Sequence, residues 1–183
     1  MSESQIIQEI LSGNTNVYKQ LVDKYRQMVF RTAMGFVHSK EDAEDIAQDV
    51  FLKAYTSLAS FQGTSEFSTW LYRIALNTSI NFANKNKFKR FLVDMETAVF
   101  SLFHRVSEEE NALSKMEEEE RKQAIKKAMD GLNEKQRTAF VLSKYEDLSQ
   151  KQIAEIMQLS EGAVEQLLQR AKSNLRKKLA HLS

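Results

Sequence analysis

The sequence of 183 residues contains no cysteine, which excludes a disulfide scaffold and a cysteine-rich zinc site. It also has no run of about 18 consecutive apolar residues, so no membrane-spanning helix is expected. The first residues, MSESQIIQEILSG, include neither a basic start nor a long apolar core, and we predict no signal peptide. The lack of thiols fits a reducing compartment.

An excess of one charge is missing as well, since the net charge is only +1 at neutral pH. The distribution is uneven, with 11 basic against 9 acidic groups in residues 1–92, 6 against 10 in residues 93–131 and 9 against 6 in residues 132–183. Two mildly basic ends therefore flank an acidic middle. Such a chain can attract nucleic acid only through local basic patches.

The motifs of common catalytic and metal sites are absent too. The sequence has no Gly-rich phosphate loop, no nucleophile elbow and no H-E-x-x-H pair. Its histidines, His38, His104 and His181, are far apart in sequence and have no motif around them. We therefore predict no enzyme, no catalytic residue, no metal site and no cofactor.

What the sequence does contain is apolar residues at steps of three and four, which predict helices along most of the chain. A short helix is expected to end at Gly13, and a long one to end near residue 38. Ser39 is the predicted N-cap of the next helix, which carries acids in its first turn.

One face of that helix is acidic. Asp42, Asp45 and Asp49 are spaced for one side of a helix, and Gln48 lies beside them. A stripe of this kind is either an ordinary solvated face or a docking surface for a basic partner, and the spacing alone leaves both interpretations open.

The stretch from residue 61 to residue 90 combines aromatic, amide and basic side chains on one predicted helix. Trp70, Arg73, Asn77 and Asn81 are spaced for a single side. Proteins that hold unstacked bases and their phosphates use such side chains. Trp70 and Tyr72 could instead be core aromatics, but the polar stripe and a basic tail favour nucleic-acid binding. That tail consists of Lys85, Lys87, Lys89 and Arg90.

The last third of the chain has the pattern of a helix-turn-helix. Ser149 and Ser160 are predicted N-caps of two helices, and the turn between them is Gln158-Leu159-Ser160. The second helix is longer and becomes basic towards its end, which is typical of this DNA-binding motif. The preceding residues 91–112 are apolar but irregular, and we interpret them as a linker.

Three stretches together resemble bacterial sigma factors of the extracytoplasmic function (ECF) group. They are DAEDIAQDVFLKAYTSL at 42–58, FQGTSEFSTWLYRIALN at 61–77, and residues 148–172. The phrase FSTWLYRIALN is highly specific, whereas a helix-turn-helix alone is not. The resemblance implies an all-α fold of two small helical domains. A sigma region 2 bundle would occupy residues 1–92 and a region 4 helix-turn-helix domain residues 113–183, joined by a linker at 93–112.

The resemblance also implies a function, which is to bind core RNA polymerase and direct promoter recognition, DNA melting and transcription initiation in the bacterial cytoplasm. It implies control by an anti-sigma factor and no direct membrane insertion. Asp45, Gln48 and Asp49 match the positions that contact core polymerase. The candidate residues for the −10 promoter element are Phe61, Gly63, Trp70, Tyr72, Arg73, Asn77, Asn81, Lys85, Lys87, Lys89 and Arg90.

The second domain would read the −35 promoter element in the major groove, through candidate residues Ser160, Glu161, Glu165, Gln166, Gln169, Arg170 and Lys172. Here the sequence departs from the family pattern, because Glu165 and Leu167 stand where cations are usual. Fewer phosphate contacts predict weaker and less salt-dependent binding. Glu165 could accept a hydrogen bond from a cytosine amine or could repel the DNA backbone.

One alternative is a stand-alone helix-turn-helix transcriptional regulator. It accounts for residues 148–179 but leaves the acidic stripe and the FSTWLYRIALN helix unexplained. Such a regulator would normally carry a dimerisation surface that sets the spacing of two half-sites on DNA.

Overall fold

The computed structural model describes the backbone of residues 1–101 and 113–180, and side chains within residues 1–87 and 120–180. Those backbone ranges contain eight α-helices, two short 3-10 turns and no β-strand. The predicted all-α fold is therefore confirmed. All side chains of the predicted linker, residues 93–112, lie outside the described ones, and its backbone is described only as far as residue 101. None of the described helices is long and apolar enough to cross a membrane.

Four helices form the first domain: α1 (Glu3–Leu11), α2 (Tyr18–Met34), α3 (Lys40–Ser57) and α4 (Phe67–Ser101). The backbone N–H of Asp42 donates to the Ser39 hydroxyl oxygen at 3.3 Å, so Ser39 is the N-cap of α3 as predicted. Helix α4 continues past residue 92 without a break in the helix. Because α4 crosses residue 92, the helix does not mark the predicted end of the first domain, and the domain limits stay a prediction.

Four further helices form the second domain: α5 (Leu113–Asp130), α6 (Glu134–Lys144), α7 (Gln150–Met157) and α8 (Glu161–Leu179). The Ser149 hydroxyl accepts from the Gln152 backbone N–H, and the Gln152 side chain accepts from the Ser149 backbone N–H, which together cap α7. Ser160 caps α8. Gln158 ends α7 in the left-handed region at φ 55°, which turns the chain sharply into α8. Helices α7 and α8 thus form the predicted helix-turn-helix.

The core of the first domain is the apolar stripe where α2, α3 and α4 meet. Its fully buried side chains include Leu21, Val29, Ile46, Val50 and Leu71. Each such side chain contributes about 1.5–3 kcal/mol through removal from water. In the second domain the same role falls to Val141, Leu142, Ile153 and Val164. The buried residues of both domains belong to one continuous apolar cluster, which supports α4 and α8.

The two domains lie directly against each other. A Cβ atom on Gly35 would be 2.6 Å from both methyl groups of Val141, so only glycine allows this approach of α2 to α6. The Arg137 guanidinium donates to the Gly35 carbonyl oxygen at 2.9 Å and to the Asp130 carboxylate at 2.7 Å. His38 Nε2 lies 3.0 Å from the same carboxylate.

The Asp130 carboxylate is the electrostatic centre of that contact. Burial by itself raises its pKa, but the hydrogen bonds and positive charges of His38 and Arg137 outweigh burial and lower the pKa to about 2. The carboxylate is therefore ionised at neutral pH. It connects His38, in the segment after α2, with Arg137 on α6.

Candidate functional site

The predicted acidic face of α3 is open to solvent. Asp45, Gln48 and Asp49 are all exposed. Within the described part of the chain, none of these side chains forms a hydrogen bond or an ion pair with another residue. Unpaired carboxylates in a row leave a negative potential that a basic partner can neutralise.

An apolar extension of this face was missed by the sequence analysis. Leu52 is 62% exposed and Tyr55 38% exposed, and both follow Asp45 and Asp49 at helical spacing. The Tyr55 ring is only partly exposed because it packs edge-on against the Tyr18 ring, with the centroids 5.0 Å apart. An exposed leucine beside acidic groups is the sequence signal that could have identified this extension.

The loop before α4 is held by three aromatic rings. Phe61 packs on Phe67 and on Trp70, with ring centroids 5.6 Å and 5.4 Å apart, and Phe67 packs on Trp70 at 5.5 Å. Gly63, at the tip, has φ 68° and faces open space. Trp70 is half-buried, so one ring both anchors the loop and offers a surface for stacking.

Two other candidate residues on α4 point towards the second domain. Tyr72 is 7% exposed, and its hydroxyl donates to the Glu146 carboxylate at 3.0 Å. Burial first, and then the charge and hydrogen bond of Glu146, raise the pKa of Tyr72. The Arg73 guanidinium donates to the carbonyl oxygens of Ile156 at 3.2 Å and Glu155 at 2.8 Å. A cation is favourable there, because these carbonyls belong to the last turn of α7.

The amide stripe of α4 is exposed. Asn77 and Asn81 are exposed, and Asn77 lines a cleft of about 290 Å³ between α4 and helices α6 and α7. Lys85 is exposed, and the Lys87 ammonium lies 3.4 Å from the Asp130 carbonyl oxygen. The side chains of Lys89 and Arg90 lie outside the described residues.

Helix α8 presents its predicted −35 residues on one solvent-facing side. All of them are exposed, namely Ser160, Glu161, Glu165, Gln166, Gln169, Arg170 and Lys172. Val164, Leu168 and Ala171 form the buried opposite side. The Gln169 amide donates to the Glu165 carboxylate at 3.3 Å. The helix can therefore lie in a groove without disturbing its own core.

No group of histidine, aspartate or glutamate side chains suited to a metal ion occurs among the residues that the structure describes. The exposed surfaces described above are thus an acidic face on α3, an amide-and-aromatic helix, and a helix-turn-helix. These features define a sigma-70-type transcription initiation factor. In agreement, the family model of sigma-70 region 2 matches residues 21–89 and that of sigma-70 region 4 matches residues 122–175.

Whole-chain relatives narrow this class. The RNA polymerase sigma-H factor of Pseudomonas aeruginosa is 33% identical, over 98% of this chain and 95% of its own length. The ECF sigma factor SigW of Bacillus subtilis is 31% identical over 96% of both chains. The ECF sigma-E factor of Escherichia coli is 31% identical over 100% of this chain and 96% of its own length. The chain belongs to the ECF sigma factors of RNA polymerase.

Solved structures share the fold. CnrH, determined in complex with the cytosolic domain of CnrY, matches with a TM-score of 0.69 and 24% identity, covering 97% of each chain. The sigma factor RpoE of Bartonella quintana, determined in complex with the anti-sigma factor NepR, matches with a TM-score of 0.59 and 23% identity, over 89% of this chain and 96% of its own.

Proposed function

We propose that this chain acts in the cytoplasm as an alternative sigma factor that docks on core RNA polymerase through the exposed face of α3. The observation that carries this proposal is the row of exposed Asp45, Gln48 and Asp49 beside exposed Leu52, a row without partners among the residues that the structure describes. The exposed acids give the face its charge complementarity, and the exposed leucine next to them supplies apolar contact.

Helix α4 would then capture the −10 element. Extruding a base from the duplex costs a few kcal/mol, and stacking on an aromatic ring with hydrogen bonds to the base edge offsets that cost. Trp70 offers the ring, Asn77 and Asn81 offer amides, and Lys85 and Lys87 offer phosphate contacts. Because binding energy separates the strands, the chain needs no nucleotide hydrolysis, and we propose that it is not an enzyme.

Helix α8 would read the −35 element. Its exposed amides, Gln166 and Gln169, suit adenine edges, while Arg170 and Lys172 suit phosphates. Regulation by an anti-sigma factor is part of the proposal, because structural neighbours such as B. quintana RpoE were solved with such partners. A stand-alone regulator would leave the open face of α3 without a role.

The first test is co-elution of the purified chain with bacterial core RNA polymerase on a sizing column. Reversal of the acidic face, in Asp45→Lys with Asp49→Lys, should abolish the complex. The matched control reverses two exposed carboxylates elsewhere, Asp23→Lys with Glu134→Lys, and should co-elute like the original chain. Absence of any complex, together with tight binding to a palindromic duplex, would favour the stand-alone regulator instead.

A further inference from the structure

Helix α1 is bound to α2 through one carboxylate. Glu3, in the first turn of α1, accepts hydrogen bonds from the Tyr25 hydroxyl and the Lys24 ammonium, both on α2. Burial raises the pKa of Glu3, but these hydrogen bonds and the charge of Lys24 outweigh burial and lower the pKa, so the carboxylate is ionised at neutral pH. A phenol that donates to a carboxylate forms a strong, directional bond.

The Tyr25 ring extends this contact to the loop before α4. The ring is buried and packs on Phe67, the first residue of α4, with centroids 5.6 Å apart. Phe67 in turn packs on Phe61 and Trp70 in the aromatic cluster of the loop. A series of direct contacts therefore runs from Glu3 to Trp70.

The same helix also contacts the chain at the other end of the loop. Helix α1 packs against the 3-10 turn Leu58–Ser60, and its buried side chains Ile6, Ile7 and Ile10 share an apolar cluster with Leu58. The Phe61 backbone N–H donates to the Leu58 carbonyl oxygen at 3.0 Å, so the turn determines where the loop begins. Helix α1 thus supports both ends of the loop, one directly and one through Tyr25.

The loop has little internal structure of its own. Gln62, Gly63 and Thr64 are exposed, and within the described part of the chain residues 62–65 form no backbone-to-backbone hydrogen bond. A segment of this kind keeps one conformation only when its ends are fixed, because ordering each residue costs conformational entropy. A loop that is already ordered binds a ligand without that cost.

We propose that α1 is a positioning element of the −10 site, in which Glu3 and Tyr25 hold loop 61–66 in the conformation that receives promoter DNA. This inference rests on the proposed function and deepens it, because it gives a role to a helix that carries none of the candidate DNA-binding residues. Glu3 and Tyr25 are positioning residues that act through Phe67 and Phe61 and do not themselves contact DNA.

The first test uses Trp70, the single tryptophan of the sequence, as a reporter inside the aromatic cluster. In the free chain, Tyr25→Phe and Glu3→Ala should increase the quenching of tryptophan fluorescence by acrylamide, because the loop leaves the cluster more often once the bond between hydroxyl and carboxylate is lost. Tyr18→Phe is the matched control. It removes a hydroxyl of the same helix that donates to the Phe51 carbonyl oxygen of α3 at 2.6 Å, and it should leave the quenching unchanged.

The second test measures DNA binding by the chain in complex with core RNA polymerase, from the anisotropy of a labelled single-stranded −10 oligonucleotide. Tyr25→Phe and Glu3→Ala should weaken binding about 2- to 10-fold, since the apparent affinity follows the fraction of chains whose loop is held. Glu3→Gln keeps an acceptor oxygen and should lose less than Glu3→Ala. Combining Glu3→Ala with Tyr25→Phe should cost no more than Glu3→Ala alone, because both remove the same bond. Tyr18→Phe should bind like the original chain.

Unchanged quenching or unchanged oligonucleotide affinity in Tyr25→Phe and Glu3→Ala, when circular dichroism shows intact helices, would overturn the positioning role. Equal effects of Tyr18→Phe would also overturn it, because they would show a general response to lost stability. Failure of the original chain to bind polymerase would overturn the proposed function. The quenching measurement involves neither polymerase nor DNA, so the two failures are distinguishable.

Discussion

Helices α4 and α8 were both predicted to face DNA, but the structure surrounds them differently. Helix α8 has one buried side, and every candidate residue lies on the exposed one. On α4 the candidates divide into exposed Asn77 and Asn81, a half-buried Trp70, and Tyr72 and Arg73 turned towards the second domain. A helix that contacts several neighbours has fewer side chains exposed for binding.

The difference comes from the position of each helix in the fold. Helix α4 packs against α2 and α3 on one side and against α7 on another, whereas α8 rests on α5, α6 and α7 from one side. Helical periodicity in a sequence reports one apolar stripe. It does not report a second, polar contact surface such as the one that Arg73 makes with α7.

The largest expected effect is a loss in the free energy of unfolding that differs between substitutions on α4 and on α8. Leu71→Ala on α4 removes a fully buried side chain at the centre of the first domain. It should lower the free energy of unfolding by about 2–5 kcal/mol, through lost burial and the cavity that remains. Leu167→Ala on α8, where the side chain is only half-buried, should cost clearly less. Urea denaturation followed by circular dichroism measures both, and equal losses would contradict the contrast.

The next effect separates the two roles of Trp70 from the single role of Asn77. Trp70→Ala should weaken binding of a single-stranded −10 oligonucleotide by about 1–3 kcal/mol, since a stacking ring is lost. It should also destabilise the first domain, because Phe61 and Phe67 lose their ring contacts. Asn77→Ala should weaken oligonucleotide binding but leave the unfolding midpoint nearly unchanged.

Fluorescence anisotropy with a labelled oligonucleotide, paired with thermal denaturation, distinguishes these cases. Gln20→Ala, an exposed change on α2 away from the cluster, is the control for both measurements. A loss of stability in Asn77→Ala equal to that in Trp70→Ala would mean that the amide is structural.

These contrasts also show which features could be predicted from the sequence. The Ser39, Ser149 and Ser160 caps and the helix-turn-helix were predictable, because local side-chain chemistry determines them. The segment FSTWLYRIALN, which is highly specific for the family, indicated the family. The pairing of Arg31 with Glu146 was not predictable, because the two residues are far apart in sequence and no local pattern joins them. The exposure of Leu52 and Tyr55 likewise depends on what the rest of the fold leaves uncovered.

The smallest expected effect concerns the departure of α8 from the family pattern. Glu165 is exposed on the recognition helix, and its carboxylate already accepts from Gln169. If it mainly repels phosphates, Glu165→Gln should tighten binding of a −35 duplex a few-fold at low salt, with the gain shrinking as salt rises. We expect that result, because the substitution keeps an acceptor oxygen and removes only the charge. Glu134→Gln is the matched control, and titration against duplexes that differ at single base pairs completes the test. A loss of about 1–3 kcal/mol confined to duplexes with one particular cytosine would show instead that Glu165 reads that base.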